Sequence, residues 1–156
     1  EIIHNTKPNG HVVLNADDSF FKFHKKLALK NNLKVISFGI KNKKSNIKFI
    51  NIRMIKKIYK INIKIETQKK FFLISNNFQN NIYNILATLA VMRVYENIFK
   101  LSKNIFLNFK IPSGRGDYSK IRINNRYINL IDESYNSNPL SLKSAILNYD
   151  KVDSKK

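Results

Sequence analysis

The chain contains no cysteine and no tryptophan, and it has only four glycines and three prolines among its 156 residues. Without cysteine, disulfide bonds and thiolate metal sites are excluded. The glycines at positions 10, 39, 114 and 116 are too few and too far apart for a Walker-type phosphate loop or a dinucleotide-binding fingerprint. The chain also has no nucleophile elbow, so its residues by themselves supply no complete catalytic apparatus.

Long apolar runs, acidic residues and histidine pairs are scarce as well. No apolar run approaches the ~20 residues that a membrane-spanning helix needs, and no secretory signal pattern opens the chain, so we expect no membrane partner. The three histidines, His4, His11 and His24, lack the spacing of metal ligands, so we expect no metal site among them.

The 29 basic residues outnumber the 10 acidic ones, which gives a formal charge of +19. A charge of this size can bind nucleic acid nonspecifically. However, the lysines are spread along the whole chain together with asparagine and isoleucine, whereas nucleic-acid readers more often use arginine forks and clustered aromatics. We therefore expect no specific nucleic-acid partner, and a basic nucleic-acid-binding module stays the alternative.

The pattern over residues 10–40 predicts a strand, a helix and a second strand. His11–Asn15 is a short apolar strand, and Leu33–Phe38 is another that ends at Gly39. Between them, apolar residues recur at helical spacing, and Asp17 or Asp18 is expected to cap this helix. Three such elements in about thirty residues have the size of a βαβ unit.

Residues 46–75 predict antiparallel strands, because isoleucine and phenylalanine alternate there with lysine and asparagine. From Asn80 to about Leu101 the pattern returns to a helix with an apolar stripe. The turn-rich stretch Ile111–Asp117 then predicts a domain boundary, which divides the chain into residues 1–110 and 111–156. Beyond this boundary we expect two strands, joined by a turn at Asn124-Asn125, and a last helix.

Two groups of polar residues are candidates for ligand binding. Asn81, Asn84 and Thr88 share one face near the start of the predicted helix, and an asparagine amide has both the donor and the acceptor that match an adenine edge. The alternative is an ordinary solvent-facing surface in an asparagine-rich chain. The sequence alone does not separate the two.

The second group is the run DESYNSNP, residues 132–139. Asn138 or Ser141 can cap the last helix, with Pro139 in its first turn. Capping does not explain the two acids, Tyr135 and Asn136, which gather after a strand, where α/β folds place their ligands.

Four motifs occur in order: NADD at residues 15–18, NIYN at 81–84, GRG at 114–116, and DESYNSNP. Together they resemble the Mur ligases of peptidoglycan synthesis. The longer run DESYNSNPLSLKSAI is most similar to the branch that adds D-alanyl-D-alanine to UDP-N-acetylmuramoyl-tripeptide. The similarity extends from Lys7 to about Leu147. Another Mur-type ligase and a folylpolyglutamate-type ligase are the alternatives within the superfamily.

The resemblance implies a cytoplasmic, monomeric, ATP-dependent amide ligase that works through an acyl phosphate. Its substrates would be UDP-N-acetylmuramoyl-tripeptide and D-alanyl-D-alanine. Its cofactors would be ATP and Mg²⁺, with the phosphate loop, the Mg²⁺ ligands and a carbamylated lysine all located before Glu1. No catalytic residue and no metal ligand would therefore lie within this chain, which by itself is expected to be inactive.

The resemblance also implies an α/β fold: the back half of a Mur-ligase central ATPase domain, followed by the first βα element of a Rossmann-like C-terminal domain. Asn84 and Asn81 would contact adenine, and Arg115 would reach the ATP. Asp132 or Glu133 would bind the ribose, without a choice between them. The residues that would shape the pocket wall are Tyr135, Asn136 and Asn138.

Overall fold

The structure, a computed structural model, describes residues 1–75, 81–109, 112–135 and 138–149. By its contacts the chain separates into two units, Glu1–Phe109 and Lys110–Lys156. Within the described residues no helix is both long enough and apolar enough to cross a bilayer.

A five-stranded mixed sheet forms the first unit. Its strands lie side by side in chain order: β1 (His11–Asn15), β2 (Lys34–Gly39), β3 (Ile47–Ile55), β4 (Ile58–Ile65) and β5 (Gln68–Ser75). A short helix, α1 (Ile2–Asn5), precedes β1. Strands β1 and β2 are parallel, and helix α2 (Phe21–Lys30) connects them. The predicted βαβ unit is thus confirmed.

The antiparallel strands are also confirmed, because β3 pairs with β4 and β4 with β5 in that sense. Tight turns join them, with Lys56 at φ 58° and Glu66 at φ 53° in the left-handed region. On its other side, β3 pairs in parallel with β2 over two residue pairs, Phe38 with Ile47 and Gly39 with Lys48. This parallel contact was not predicted from the sequence, since alternation within one strand does not show which neighbour it takes.

Helix α3 (Ile82–Tyr95) packs on this sheet and encloses the main core. Ile85, Leu86 and Leu89 of the helix are fully buried together with Ile61 and Phe72 of the sheet. The burial of side chains of this size contributes about 1.5–3 kcal/mol each to folding, so the apolar stripe fixes which face of α3 points inward.

Helix α3 ends six residues earlier than the sequence predicts. Glu96 is extended at φ −137°, and the Asn97 side chain accepts a hydrogen bond from the Phe99 N–H, which starts a separate 3₁₀ turn at Ile98–Lys100. The predicted start at Asn80 lies outside the described residues.

In the second unit, β6 (Asp117–Ile123) and β7 (Arg126–Asp132) form an antiparallel hairpin, and α4 (Pro139–Tyr149) follows it. Asn124 and Asn125 have φ values of 45° and 62°, the left-handed pair that a two-residue hairpin turn requires and that asparagine tolerates well. The expected strand pair and its turn are confirmed.

Candidate functional site

The carboxylate of Asp17 organises the edge of the sheet where β1 and β2 end. Three consecutive backbone N–H groups donate to it: Ile40 to Oδ2 at 2.6 Å, Asn42 to Oδ1 at 2.6 Å, and Lys41 to both oxygens at 3.0 and 3.1 Å. The Tyr83 hydroxyl on α3 donates to Oδ2 at 3.0 Å. The prediction that Asp17 or Asp18 caps the following helix is therefore wrong for Asp17.

Asp18 binds only the backbone directly before α2, within its own loop. Its Oδ1 accepts a hydrogen bond from the Phe20 N–H at 2.7 Å, directly before α2 begins. Phe20 itself occupies the N-cap position of α2, and no side chain caps the helix there. Asp17 and Asp18 thus bind different parts of the backbone, because of the two only Asp17 reaches the loop after β2.

The hydrogen bonds at Asp17 change its acidity. Burial alone would raise the pKa of Asp17, but the N–H groups of Lys41, Ile40 and Asn42 and the Tyr83 hydroxyl hold it below its ordinary value. The pKa of Tyr83 is raised by burial and by this same hydrogen bond to an anion. Both shifts favour the state in which Asp17 is ionised and Tyr83 is protonated, so the tyrosine acts as the donor.

Gly39 is required by the same arrangement. A Cβ atom at this position would lie 3.0 Å from Oδ1 and 3.2 Å from Cγ of Asp17, closer than side chains normally pack. A residue larger than glycine would therefore push the carboxylate away from the loop.

At the start of α3, Asn81 and Asn84 bind each other. Asn84 Nδ2 donates to Asn81 Oδ1 at 3.0 Å, and the Asn81 side chain makes no capping bond to the helix backbone. Thr88, one turn further on, donates its hydroxyl to the Asn84 carbonyl at 2.8 Å. Asn84 and Thr88 are exposed, so the predicted polar face exists and presents an amide pair with donors and acceptors.

In the second unit, the hairpin brings the GRG motif against the DESY segment. Because Asp117 pairs with Asp132, the residues just before β6 face those just after β7. The Gly116 N–H donates to the Asp132 carbonyl at 2.7 Å, and the Tyr135 N–H donates to the Gly114 carbonyl at 2.9 Å. Asp132 follows Gly116 by sixteen residues in sequence, yet the two motifs form one cluster.

Both glycines of this cluster have left-handed backbones, with φ +76° at Gly114 and +86° at Gly116. A Cβ on Gly114 would meet the Tyr135 backbone nitrogen at 3.0 Å, and one on Gly116 would meet Glu133 Oε1 at 3.0 Å. The glycines therefore allow the close approach of the two segments, and the guanidinium of Arg115 lies over the Tyr135 ring.

The two acids of the cluster differ in environment. Asp132 Oδ1 accepts a hydrogen bond from the Ser134 N–H at 3.0 Å. The Ser134 hydroxyl and, to a lesser extent, the Ser134 N–H lower the pKa of Asp132 by hydrogen bonding, and desolvation opposes them weakly. Glu133 is exposed and lies beside Gly116.

Of the two residues that the sequence offers as the cap of α4, Asn138 and Ser141, the structure selects Asn138. Its Oδ1 accepts from the Ser141 N–H at 2.9 Å, and Pro139 is the first helical residue. Asn136 lies outside the described residues. Of the sequence candidates, the structure thus groups Asn81 with Asn84 in the first unit, and Arg115 with Asp132, Glu133 and Tyr135 in the second.

Sequence reasoning missed Tyr83 and Gly39, both of which contact Asp17. A signal for Gly39 was present, since it directly follows a strand in a chain with few glycines. No local pattern marks Tyr83, because its partner is 66 residues away.

The chain resembles known ligases both in sequence and in fold. Residues 1–92 match the family model described as the Mur ligase middle domain. The chain is similar in structure to the MurF ligase from Thermotoga maritima in complex with ADP, with a TM-score of 0.70 and 19% identity, over 99% of this chain and 34% of that one.

It is also similar to UDP-N-acetylmuramoylalanyl-D-glutamyl-2,6-diaminopimelate–D-alanyl-D-alanyl ligase from Acinetobacter baumannii, with a TM-score of 0.70 and 17% identity over 97% of this chain and 32% of that one. A UDP-N-acetylmuramoyl-L-alanyl-D-glutamate–2,6-diaminopimelate ligase matches with a TM-score of 0.59 and 13% identity, over 94% of this chain and 29% of that chain. At these identities the likeness shows the fold.

No curated protein matches the chain in sequence. The chain spans only 29–34% of the length of these three solved ligases. Because the family model covers residues 1–92 of 156, more than half of the chain, and the α/β architecture agrees with it, the resemblance carried by the four motifs is confirmed. This chain belongs to the Mur ligase family.

Proposed function

We propose that this chain is part of an ATP-dependent ligase that joins D-alanyl-D-alanine to UDP-N-acetylmuramoyl-tripeptide in the cytoplasm, as a step of peptidoglycan precursor synthesis. ATP would phosphorylate the terminal carboxylate of the tripeptide and leave as ADP. The amine of the dipeptide would then attack the acyl phosphate, form the amide bond and release inorganic phosphate. Residues 1–110 would be the later part of the central ATP-binding domain, and residues 111–156 the start of the C-terminal domain.

The observation that carries this proposal is the cluster in the second unit, where the hairpin brings Arg115, Tyr135 and Asp132 together. It combines a cation, an aromatic ring and an ionised carboxylate on glycine-supported backbone. A guanidinium suits phosphate oxygens, and a carboxylate suits ribose hydroxyls. Of the two acids we assign the ribose to Asp132, because its carboxylate is oriented by Ser134, whereas Glu133 is exposed.

The described residues also fit the base of ATP. The half-buried amide of Asn81 and the exposed amide of Asn84 offer donors and acceptors that match those of the adenine edge. The ADP in the similar Thermotoga maritima ligase supports a nucleotide as the ligand.

Mg²⁺ does not fit the residues seen here. Within the parts of the chain that the structure describes, no group of three or more acidic or histidine side chains is placed to hold a metal ion. Mg²⁺ would therefore be bound by groups other than these described side chains.

The proposal is tested with the complete protein that carries this chain. Purified protein is mixed with ATP, Mg²⁺, D-alanyl-D-alanine and UDP-N-acetylmuramoyl-tripeptide, and both phosphate release and the pentapeptide product are measured. We expect phosphate release only when both substrates are present. Phosphate release without dependence on D-alanyl-D-alanine would contradict the proposal.

The similarity to a diaminopimelate-adding ligase, at a lower TM-score of 0.59, makes a different Mur ligase the second candidate. The same assay separates the two when D-alanyl-D-alanine is replaced by diaminopimelate and the tripeptide substrate by the corresponding dipeptide. Product formation only with diaminopimelate would favour the second candidate.

A further inference from the structure

The hydrogen bond between Tyr83 and Asp17 connects the first turn of α3 to the edge of the sheet. Tyr83 stands between Asn81, at the N-cap of α3, and Asn84 in the same helical turn. On the other side, Asp17 is held by three backbone N–H groups of the loop after β2, and Gly39 allows it to approach that loop. These contacts hold the Asp17 carboxylate in one orientation relative to the loop.

The buried apolar face of α3, which begins at Ile82 in the first turn, positions the helix on the sheet, but it does not hold the side chains on the exposed face of that turn. Tyr83 is 38% exposed and Asn84 is exposed, so core packing does not by itself determine their orientation. The Asn81 side chain binds Asn84 and makes no capping bond to the helix backbone, which removes the usual restraint on a helix start. The Tyr83 hydroxyl supplies a restraint at this place.

We propose that Asp17 and Tyr83 are positioning residues for adenine recognition: Asp17 holds the Tyr83 hydroxyl, and this bond sets where the Asn81–Asn84 amide pair lies. The inference rests on the proposed function, because it assumes that this amide pair reads the adenine base. Asp17 and Tyr83 act through the helix turn, whereas the two asparagines make the contacts.

The geometry also explains why an amide cannot replace the carboxylate of Asp17. Oδ1 accepts from Asn42 and Lys41, and Oδ2 accepts from Ile40, Lys41 and Tyr83. In Asp17→Asn, either orientation of the new amide would turn its NH₂ group toward N–H donors. The loop and the anchor of Tyr83 would be disturbed together.

The test compares ATP with inosine triphosphate, in which a carbonyl replaces the adenine amine, as substrates of the complete protein. In Tyr83→Phe, we expect the KM for ATP to rise about five-fold, the equivalent of about 1 kcal/mol for one hydrogen bond, with little change in kcat. The preference for ATP over inosine triphosphate should fall in parallel, since a misplaced amide pair reads the amine poorly.

Arg93→Gln is the matched control. Arg93 forms an ion pair with Glu66 near the other end of α3, so this change removes a restraint from the same helix without touching its first turn. We expect Arg93→Gln to lower the melting temperature without changing the preference for ATP. An equal loss of preference in both variants would show general loosening of the helix and would overturn the proposal.

A double-mutant cycle with Asp17→Asn adds a second readout. If the two residues act through one bond, the double variant should show no greater loss of preference than Asp17→Asn alone, whereas additive losses would contradict the inference. If Asp17→Asn does not fold, the loss of ATP preference in Tyr83→Phe compared with that in Arg93→Gln still tests the proposal. Asn84→Ala distinguishes failure of the positioning role from failure of the proposed adenine site. If Asn84→Ala leaves the KM for ATP and the nucleotide preference unchanged, the adenine site is wrong. If Asn84→Ala changes them and Tyr83→Phe does not, only the positioning role is wrong.

Discussion

The guanidinium carbon of Arg115 lies 3.9 Å from the centroid of the Tyr135 ring, although the two residues belong to motifs on opposite sides of a hairpin. The contact exists because the register of β6 and β7 continues beyond the strands, where the Tyr135 N–H binds the Gly114 carbonyl. The stack holds the long Arg115 side chain over one surface, which lowers the entropy cost of binding an anion there.

Arg115→Ala should raise the KM for ATP of the complete protein about ten-fold, since a hydrogen bond to a charged group contributes about 1.5–3 kcal/mol. Arg115→Lys should be intermediate, because lysine keeps the charge but loses the planar stack. Arg122→Ala is the control, since Arg122 is in the same hairpin and its guanidinium donates to Asn125 Oδ1 at the turn. An equal effect in Arg122→Ala would indicate a general charge effect and contradict the assignment.

Gly114→Ala should destabilise the hairpin more than Gly116→Ala. Both changes place a side chain on a left-handed backbone, at a cost of about 1–2 kcal/mol. The new methyl at Gly114 also meets the Tyr135 backbone nitrogen, which cannot move alone, whereas the one at Gly116 meets the end of the flexible Glu133 side chain. Thermal unfolding and ATP binding of both variants check this order, and equal losses would show that backbone strain alone matters.

Asn84→Ala should raise the KM for ATP several-fold with kcat nearly unchanged, because it removes one partner of the amide pair and leaves Asn81 without its side-chain donor. Thr88→Ala is the matched control on the same helix face, since the Thr88 hydroxyl binds the Asn84 backbone carbonyl. An unchanged KM in Asn84→Ala would remove this residue from the site.

Asp132→Asn should reduce the preference for ATP over 2′-deoxy-ATP more than Glu133→Gln does. Hydrogen bonding by Ser134 lowers the pKa of Asp132 and orients its carboxylate, so it is the better partner for a ribose hydroxyl. Steady-state kinetics with both nucleotides measure the effect. The reverse order would assign the ribose contact to Glu133.

Asp17 should make the stability of the protein depend on pH in the acid range. Its pKa in the folded state lies below its ordinary value, so the stabilisation is complete above about pH 4 and is lost as the pH falls through the folded pKa. Asp17→Asn should therefore be less stable by about 2–3 kcal/mol near neutral pH, and this gap should shrink in acid. Urea unfolding at several pH values measures it.

Asp18→Asn is the control for the pH series, because it removes the same charge at the adjacent residue. Asp18 binds one N–H group at its own loop, so its replacement should cost little at any pH. A gap of similar size for both variants would assign the effect to net charge rather than to the hydrogen bonds of Asp17.

Local patterns determined much of the fold. The apolar run His11–Asn15, the alternating isoleucines of β4 and the Asn124-Asn125 turn each predict an element that the structure contains. Such elements depend on side-chain periodicity and backbone preference within a few residues, which are readable in one sequence. The capping role of Asn138 belongs to the same class, since its partner Ser141 is three residues away.

Only the tertiary structure decided what Asp17 binds and which motifs meet. A helix cap and a loop anchor demand the same acid after a strand, and the choice depended on β2 returning parallel to β1, so that its loop presents three N–H groups to the carboxylate. Likewise, nothing in the sequence connects Arg115 with Tyr135; the hairpin register brings them together. Long-range hydrogen bonds and strand register leave no periodic trace in the chain, because their partners are set by the path of the backbone through space.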